Sequence, residues 1–570
     1  MRIIVIGGVA GGMSAAARAR RLNEQAEIIV FEKGKYVSFA NCGLPYHVGG
    51  EIEQESYLLL HSPASLKAEL DLDVRIEHEV IGIDRDAQTV LVATPEGTET
   101  FEYDALVMSP GADAILPPID GMDLPQVTHL RTVDEARELA ARASTAKRAV
   151  VMGAGFIGLE TAEAFRHRGL DVTLVELAPQ VLPPLAPEMS ALVEKELIAH
   201  GVDVRVGVAA TGVQANSAAG GSAAGGSAAN DAAVTVALSD GSSVPADIVV
   251  VSVGVRPNTA LAREAGLELD PRGAILVDER QQTSDPHIWA AGDAIAVRHG
   301  VTGQVGPVPL AGPANRQGRR AADAIMGRAD AAQPVLGTAI VRAFDLTAAM
   351  TGASPRMLDQ AGIEYFVVHT HPGNHAGYFP GSEVLHLMGV FSPEGKLLGA
   401  QAVGPEGVDK RIDVLATALR AGFSADDIAE LELAYAPPFG SAKDPINMLG
   451  FLAQNVVNGT TKVWTAGDLP WARDNALILD VRSEREYAMG HLPEAINLPH
   501  THLREYIEGV KQLAAGRPVR VLCASGVRSY YAHRVLAQHG FDSATLDGGM
   551  FTLVEAVRDL ELATGAFQPA

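Results

Sequence analysis

Residues 149–176, AVVMGAGFIGLETAEAFRHRGLDVTLVE, decide the fold. An apolar run at 149–152 leads into Gly153-Ala154-Gly155-Phe156-Ile157-Gly158. A helical stretch follows, then a second apolar run that closes on Glu176. Glycines at this spacing let a tight turn present backbone N–H groups, at a helix N-terminus, to phosphate oxygens. A carboxylate ending the next strand accepts hydrogen bonds from an adenine-ribose 2′-hydroxyl and repels a 2′-phosphate. Gly153, Gly155, Gly158 and Glu176 therefore predict an NADH site in a βαβ unit.

The same plan stands at the start of the chain. Residues 2–6 read as a strand, Gly7-Gly8-Val9-Ala10-Gly11-Gly12 as the turn, and an alanine-rich helix runs to Leu22. A second strand at 27–31 is followed by Glu32. Val9 takes the place of the second fingerprint glycine, so this copy alone is weak. Downstream, residues 283–294 (TSDPHIWAAGDA) suggest a short strand ending in Gly292-Asp293, a carboxylate placed for a flavin ribityl hydroxyl. A turn aspartate is the plainer reading of Asp293. Two βαβ repeats in this order shift the balance to FAD, held by Gly7, Val9, Ala10, Gly12, Glu32 and Asp293.

The bulk properties agree. Forty-five basic and 69 acidic residues leave a formal charge of −24, which opposes a nucleic-acid or anionic-membrane partner. The longest apolar runs, such as 248–255, fall far short of the roughly 20 residues that span a bilayer. The apolar start is too short for a signal peptide and runs into the glycine turn. A cytoplasmic protein is expected. Residues 216–231, NSAAGGSAAGGSAAND, look like a linker. The runs on either side, VRVGVAATGV and AVTVALSDG, read instead as neighbouring strands of one sheet, with a mobile surface loop between them.

Only two cysteines occur in 570 residues, Cys42 and Cys523, too few for a disulfide framework. Cys523-Ala524-Ser525-Gly526-Val527-Arg528-Ser529 follows an apolar strand and precedes a helix. Consecutive N–H groups in such a loop cradle an anion, a terminal persulfide included, and Arg528 adds a fixed charge. Strands are expected at 476–481, 519–524 and 543–548 in this last, alternating β/α unit.

The order of FAD fingerprint, NAD fingerprint and Gly-Asp motif, followed by a further α+β region, resembles the flavoprotein pyridine nucleotide-disulfide oxidoreductases. Three segments resemble the coenzyme A-disulfide reductases among them: Ser38-Phe39-Ala40-Asn41-Cys42-Gly43-Leu44-Pro45-Tyr46, residues 310–318 (LAGPANRQG) and residues 435–445 (YAPPFGSAKDP). The C-terminal unit resembles single-domain rhodaneses through its Cys523 loop, Asp480-Val481-Arg482, residues 490–497 (GHLPEAIN) and Leu546-Asp547-Gly548-Gly549. The short loop, with four residues between Cys523 and Arg528, suits sulfur better than phosphate. His491 reads as structural. The resemblance implies an α/β chain of four parts: an FAD-binding domain at 1–112 and 274–328, an NAD-binding domain at 113–273, a dimerisation domain at 329–455 and a rhodanese domain at 466–570. A homodimer is expected.

Cys42 has no second cysteine beside it with which to close a disulfide, so it must cycle through a mixed disulfide, a persulfide or a sulfenic acid. Related peroxidases and oxidases carry a histidine in the first glycine turn, where this chain has Ala10, which favours a sulfur substrate. The resemblance further implies that Ser14, Arg18, Arg21, Ser38, Asn41, Lys67, Asn315 and Lys443 bind coenzyme A. Taken alone, Arg18 and Arg21 are better read as an ordinary solvated charged face. It also implies that Tyr378 and Tyr435 serve the partner subunit's active site, although interface packing is their plainer role and Phe379 leaves the equivalence of Tyr378 open. The expected activity is NADH-dependent reduction of a coenzyme A persulfide or polysulfide, with coenzyme A disulfide as the nearest rival substrate. A sulfur carrier or persulfide sensor is the rival of another class.

Overall fold

The computed structural model describes residues 1–216, 232–328 and 331–565 and forms two compact units. The first comprises Met1–Val181 and Leu197–Gly337, the second Leu182–Glu196 and Thr338–Ala570. Residues 217–231, and with them the expected surface loop, lie outside the described residues.

The first unit holds two parallel five-stranded sheets. One places Arg2–Ile6 at its centre, between Glu27–Glu32 and Ala105–Met108, with Asp73–Ile76 and Ile288–Ala290 at the edges. The other repeats the plan around Arg148–Met152, between Asp171–Glu176 and Ile248–Val251, with Val202–Val206 and Val127–Thr128 outside. The central strands are buried along almost their whole length, because a parallel sheet is covered on both faces. Each glycine turn follows its central strand at the carboxyl edge, the usual ligand side of such sheets. The run VRVGVAATGV, expected as one strand, is divided: its start lies in Val202–Val206 of the parallel sheet, and its second half, in Ala210–Ala215, pairs antiparallel with Val234–Leu238 in a separate three-stranded sheet.

The second unit contains an antiparallel sheet and a parallel one. The antiparallel sheet has the order Ala339–Ala343, Leu346–Gly352, Leu397–Gly404, His386–Phe391, Phe366–Thr370. The helices Val408–Ala421 and Pro445–Val457 pack on it. The parallel sheet has the order Val463–Trp464, Ser543–Leu546, Val519–Leu522, Leu477–Asp480, Ile496–Asn497. Its three middle strands are those read from the sequence. Val463–Trp464 adds an edge strand that starts before residue 466, pairing with Ser543–Leu546.

Candidate active site

The two glycine turns are near copies. A Cβ on Gly12 would lie 1.9 Å from the Gly7 carbonyl oxygen, and one on Gly158 1.9 Å from that of Gly153, so neither position accepts a side chain. Gly7 and Gly153 have φ of +97° and +99°, in the region that favours glycine. Glu32 accepts the Gly8 N–H at 2.7 Å and the Gly34 N–H at 2.7 Å. Glu176 does the same with the N–H groups of Ala154 and Ala178, both at 2.7 Å. Each carboxylate is thus fixed beside its own turn, with lone pairs left for ribose hydroxyls. Val9 costs the first turn nothing in this respect: it is the N-cap of Ala10–Leu22, at φ −116°.

The helix Ala311–Ile325 closes on the first turn. A Cβ on Gly318 would meet the Gly11 carbonyl oxygen at 2.0 Å, and the Gln317 side chain accepts the Gly292 N–H at 2.9 Å. The Gly-Asp motif is thereby held beside the turn. Burial pushes the Asp293 carboxyl up, with Arg131 opposing.

Cys42 lies in a 3-10 turn, Asn41–Gly43, leading into the helix Leu44–Gly49, and its residue is exposed. Burial of the thiol raises its pKa, and the carboxylates of Glu160 and Asp293 raise it further. Glu160, on the helix Phe156–His167, accepts a hydrogen bond from the Tyr46 hydroxyl at 3.0 Å. Sequence reading passed over Glu160 because nothing local joins it to Cys42. Removing its charge should lower the Cys42 pKa. Glu160→Gln is expected to shift the pH dependence of Cys42 alkylation by iodoacetamide towards acid, and an unmoved or alkaline-shifted profile would contradict the assignment.

Of the residues assigned to coenzyme A in this unit, two meet directly: the Ser14 hydroxyl donates to Asn315 Oδ1 at 2.6 Å. Arg18 is paired with Asp323 at 2.7 Å and Lys67 with Asp71, while Arg21 and Asn41 are exposed. Ser38 has a positive φ of 48° and donates its N–H to the Gly8 carbonyl, which ties the Cys42 segment to the first turn.

In the second unit Tyr378 and Tyr435 share a hydroxyl–hydroxyl hydrogen bond of 2.9 Å, and Tyr378 is 76% exposed. A buried ion pair positions their loops. Arg411 donates to Asp444 at 3.0 Å and to the Asn374 carbonyl at 2.8 Å, and Asp444 caps Pro445–Val457. Breaking a pair buried this deeply costs about 3–5 kcal/mol, so the loops are firmly anchored. Lys443, next to Asp444, is exposed. Phe379 is 39% exposed.

Cys523 is fully buried at the base of its loop, where its thiol donates to Ser529 Oγ at 3.4 Å. Gly526, at φ +91°, turns the loop into the helix Val527–Gln538. Arg528 holds Glu486 bidentately at 2.6 and 2.7 Å and, as the main cause, keeps that carboxyl down at about 2. The expected fixed charge is therefore balanced by Glu486, 42 residues upstream, and joins the helix Glu484–Met489 to Val527–Gln538. Glu486 also caps its own helix through Ser483. His491 is buried, stacked on Tyr487 at 3.6 Å, as a structural histidine would be.

Residues 1–318 match the pyridine nucleotide-disulphide oxidoreductase model, and residues 338–444 match the dimerisation domain of the same family. The chain belongs to this family. Residues 468–556 match the rhodanese-like domain. The full length is similar to the reduced CoADR-RHD of Bacillus anthracis, at 39% identity and a TM-score of 0.93 over 98% of each chain. It is also similar to a NAD-dependent persulfide reductase from A. fulgidus, at 37% identity and a TM-score of 0.89 over 97% of this chain and 100% of that one. A coenzyme A disulfide reductase of Staphylococcus haemolyticus is 35% identical over 461 residues, 80% of this chain and all of the relative.

As a pyridine nucleotide-disulphide oxidoreductase, the chain is a flavoprotein enzyme that uses FAD and a nicotinamide nucleotide. The residues fit these groups: the Gly7–Gly12 and Gly153–Gly158 contacts close both turns tightly, Glu32 and Glu176 are fixed beside them, and open space lies in front of Gly155. Glu176, fixed beside its turn, is expected to set the nucleotide preference. Like charges about 4 Å apart repel by roughly 4 kcal/mol at an intermediate dielectric, so NADH should exceed NADPH in kcat/KM by about 10³-fold. Equal values would mean that Glu176 does not face the ribose. Among the described residues no helix is long and apolar enough to cross a membrane.

Proposed function

We propose that the enzyme reduces the S–S bond of a coenzyme A persulfide, or of a related polysulfide, with NADH. One observation carries the reading: Cys42 is the sole cysteine of the flavin unit, as Cys523 belongs to the other. A dithiol cycle is therefore closed to it. The Cys42 thiolate attacks the inner sulfur of the persulfide, hydrosulfide leaves, and Cys42 remains in a mixed disulfide with the coenzyme A thiol. FAD supplies the route by which two electrons from NADH return Cys42 to its thiolate and release the thiol. The sum consumes one persulfide, one NADH and one proton and yields one thiol, one hydrogen sulfide and NAD⁺.

Ser14, Arg18, Arg21, Ser38, Asn41, Lys67, Asn315 and Lys443 would hold the coenzyme A moiety. The Tyr378–Tyr435 pair would donate a hydrogen bond to a leaving thiolate in a homodimer. Cys523 would accept sulfane sulfur and pass it on. The A. fulgidus relative, named a persulfide reductase, supports this reading. NADH consumption and sulfide release, measured in parallel with coenzyme A persulfide, coenzyme A disulfide and peroxide, test it. The highest kcat/KM should fall on the persulfide. A higher value on the disulfide would favour the rival substrate, and no NADH turnover with any of them would favour a carrier or sensor.

A further inference from the structure

The Cys523 loop is braced from behind by the turn that follows Ser543–Leu546. The N–H groups of Met550 and Phe551 donate to the carbonyls of Cys523 and Ala524 at 2.8 and 2.9 Å. Gly549, at φ +64°, passes so close that a Cβ there would lie 2.6 Å from the Cys523 carbonyl oxygen. The shape of the loop thus depends on where this turn sits.

The turn is itself gripped from outside the rhodanese-like domain. Asp547 Oδ1 accepts the His369 backbone N–H at 2.8 Å, and Asp547 Oδ2 lies 2.6 Å from His369 Nδ1. The other ring nitrogen, Nε2, is 3.0 Å from Glu188 Oε1 on the helix Pro187–Ala199. His369 belongs to Phe366–Thr370, an edge strand of the antiparallel sheet. All three residues lie in the second unit and are largely buried. An imidazole with carboxylates on both nitrogens satisfies both only as the imidazolium, which has two donors.

Other groups around the ring fit this assignment. His371 Nδ1 is 2.9 Å from His386 Nδ1, so at least one of the two is neutral, and His371 Nε2 is 2.9 Å from Thr552 Oγ1. Burial and the neighbouring imidazoles lower His371, and burial with the charge on His369 takes His386 down to about 4. Tyr365, raised to about 12 chiefly by burial, also faces Glu188. One cation, His369, is left between Asp547 and Glu188. The outer pairs of the same contact, Lys195 with Glu555 at 2.5 Å and Arg558 with Glu194 at 2.6 Å, each have an exposed partner and are worth little by comparison.

We propose that His369 is a positioning residue for sulfur transfer at Cys523: as a charged clamp between Asp547 and Glu188, it fixes the Asp547-Gly548-Gly549 turn and through it the persulfide loop. Docked in this way, the rhodanese-like domain keeps its loop in register with the sheet it sits on and does not act as a loosely tethered carrier. The role rests on the reading of Cys523 as the sulfur acceptor.

His369 titrates at about 10, against 6.5 for a free imidazole: burial opposes the charge and the two carboxylates outweigh it. Because the folded value is the higher one, the clamp is complete below about pH 6.5 and is lost as pH rises through about 10. The test uses the full-length holoenzyme. Thiosulfate-to-cyanide sulfur transfer is followed from pH 7 to 10.5, and amide exchange is measured over residues 523–529. In wild type, transfer should fall towards pH 10 as the clamp opens. His369→Gln should speed exchange in the loop by about tenfold, lower transfer at neutral pH and abolish the alkaline step. Glu188→Gln, which keeps the Asp547 contact, should move the step to lower pH, and it carries the test if His369→Gln does not fold. Wild-type exchange in His369→Gln, or an unmoved step in Glu188→Gln, overturns the clamp. A wild type that loads no sulfur on Cys523 sinks the acceptor reading and the transfer role together, whereas faster exchange in that case would still show that His369 holds the loop.

Discussion

Cys42→Ser is expected to abolish sulfur-dependent NADH turnover while FAD stays bound and NADH still reduces it. The serine hydroxyl keeps the size of the thiol, and the glycine turns, Glu32 and the Gly292-Asp293 segment expected to hold FAD are untouched by the change. The hydroxyl is not ionised near neutral pH, and it forms no S–S bond from which electrons are later recovered. Loss of a nucleophile of this kind is worth roughly 10³-fold or more in kcat, by analogy with other covalent mechanisms. Two measurements on one preparation decide the matter. The flavin spectrum and its bleaching by NADH should match wild type, and sulfide release from coenzyme A persulfide should fall to background. Full persulfide reductase activity in the variant would end the proposed mechanism, since the other cysteine, Cys523, lies outside the flavin unit.

What the sequence displayed and what it hid divide along physical lines. The strands Arg2–Ile6 and Arg148–Met152, the two turns, and the strands around Cys523 were legible because period, glycine spacing and apolar runs are local signals. The paired strands flanking residues 216–231 were legible for the same reason. The partners of charged groups were not. Nothing near Arg528 announces Glu486, nothing near Arg18 announces Asp323, and His369 meets Asp547 across 178 residues. Charge pairing of this sort is created by packing, so one sequence shows the charges without their pairing. The Arg528 case has the largest consequence for chemistry. Arg528, expected to add a fixed charge to the loop, is held bidentately by Glu486, so that charge is balanced from a distant helix. The edge strand Val463–Trp464 was missed because two residues carry no period.

Cys523→Ser should separate the two sulfur chemistries. The Cys523 loop and Cys42 belong to different domains, and only Cys42 lies in the flavin unit. Reduction of a small, soluble coenzyme A persulfide should therefore remain within about twofold of wild type, the scatter expected for a change remote from the reacting groups. Sulfur transfer from thiosulfate should vanish, because a serine at this position cannot carry a persulfide. Reduction of bulky persulfides or polysulfides that must first load Cys523 should vanish with it. The Ser529 and Thr545 hydroxyls, bonded to each other at 2.8 Å beneath Cys523, keep their partnership in the variant, so the loop should hold its shape. Stopped-flow traces of flavin reoxidation, recorded for wild type and variant with each donor, read the distinction directly. Equal slowing for every donor would place Cys523 inside the core reductive cycle. Slowing confined to thiosulfate and bulky donors would make the rhodanese-like domain a loading module, with sulfur carried onward by a diffusing persulfide or by the pantetheine arm of coenzyme A.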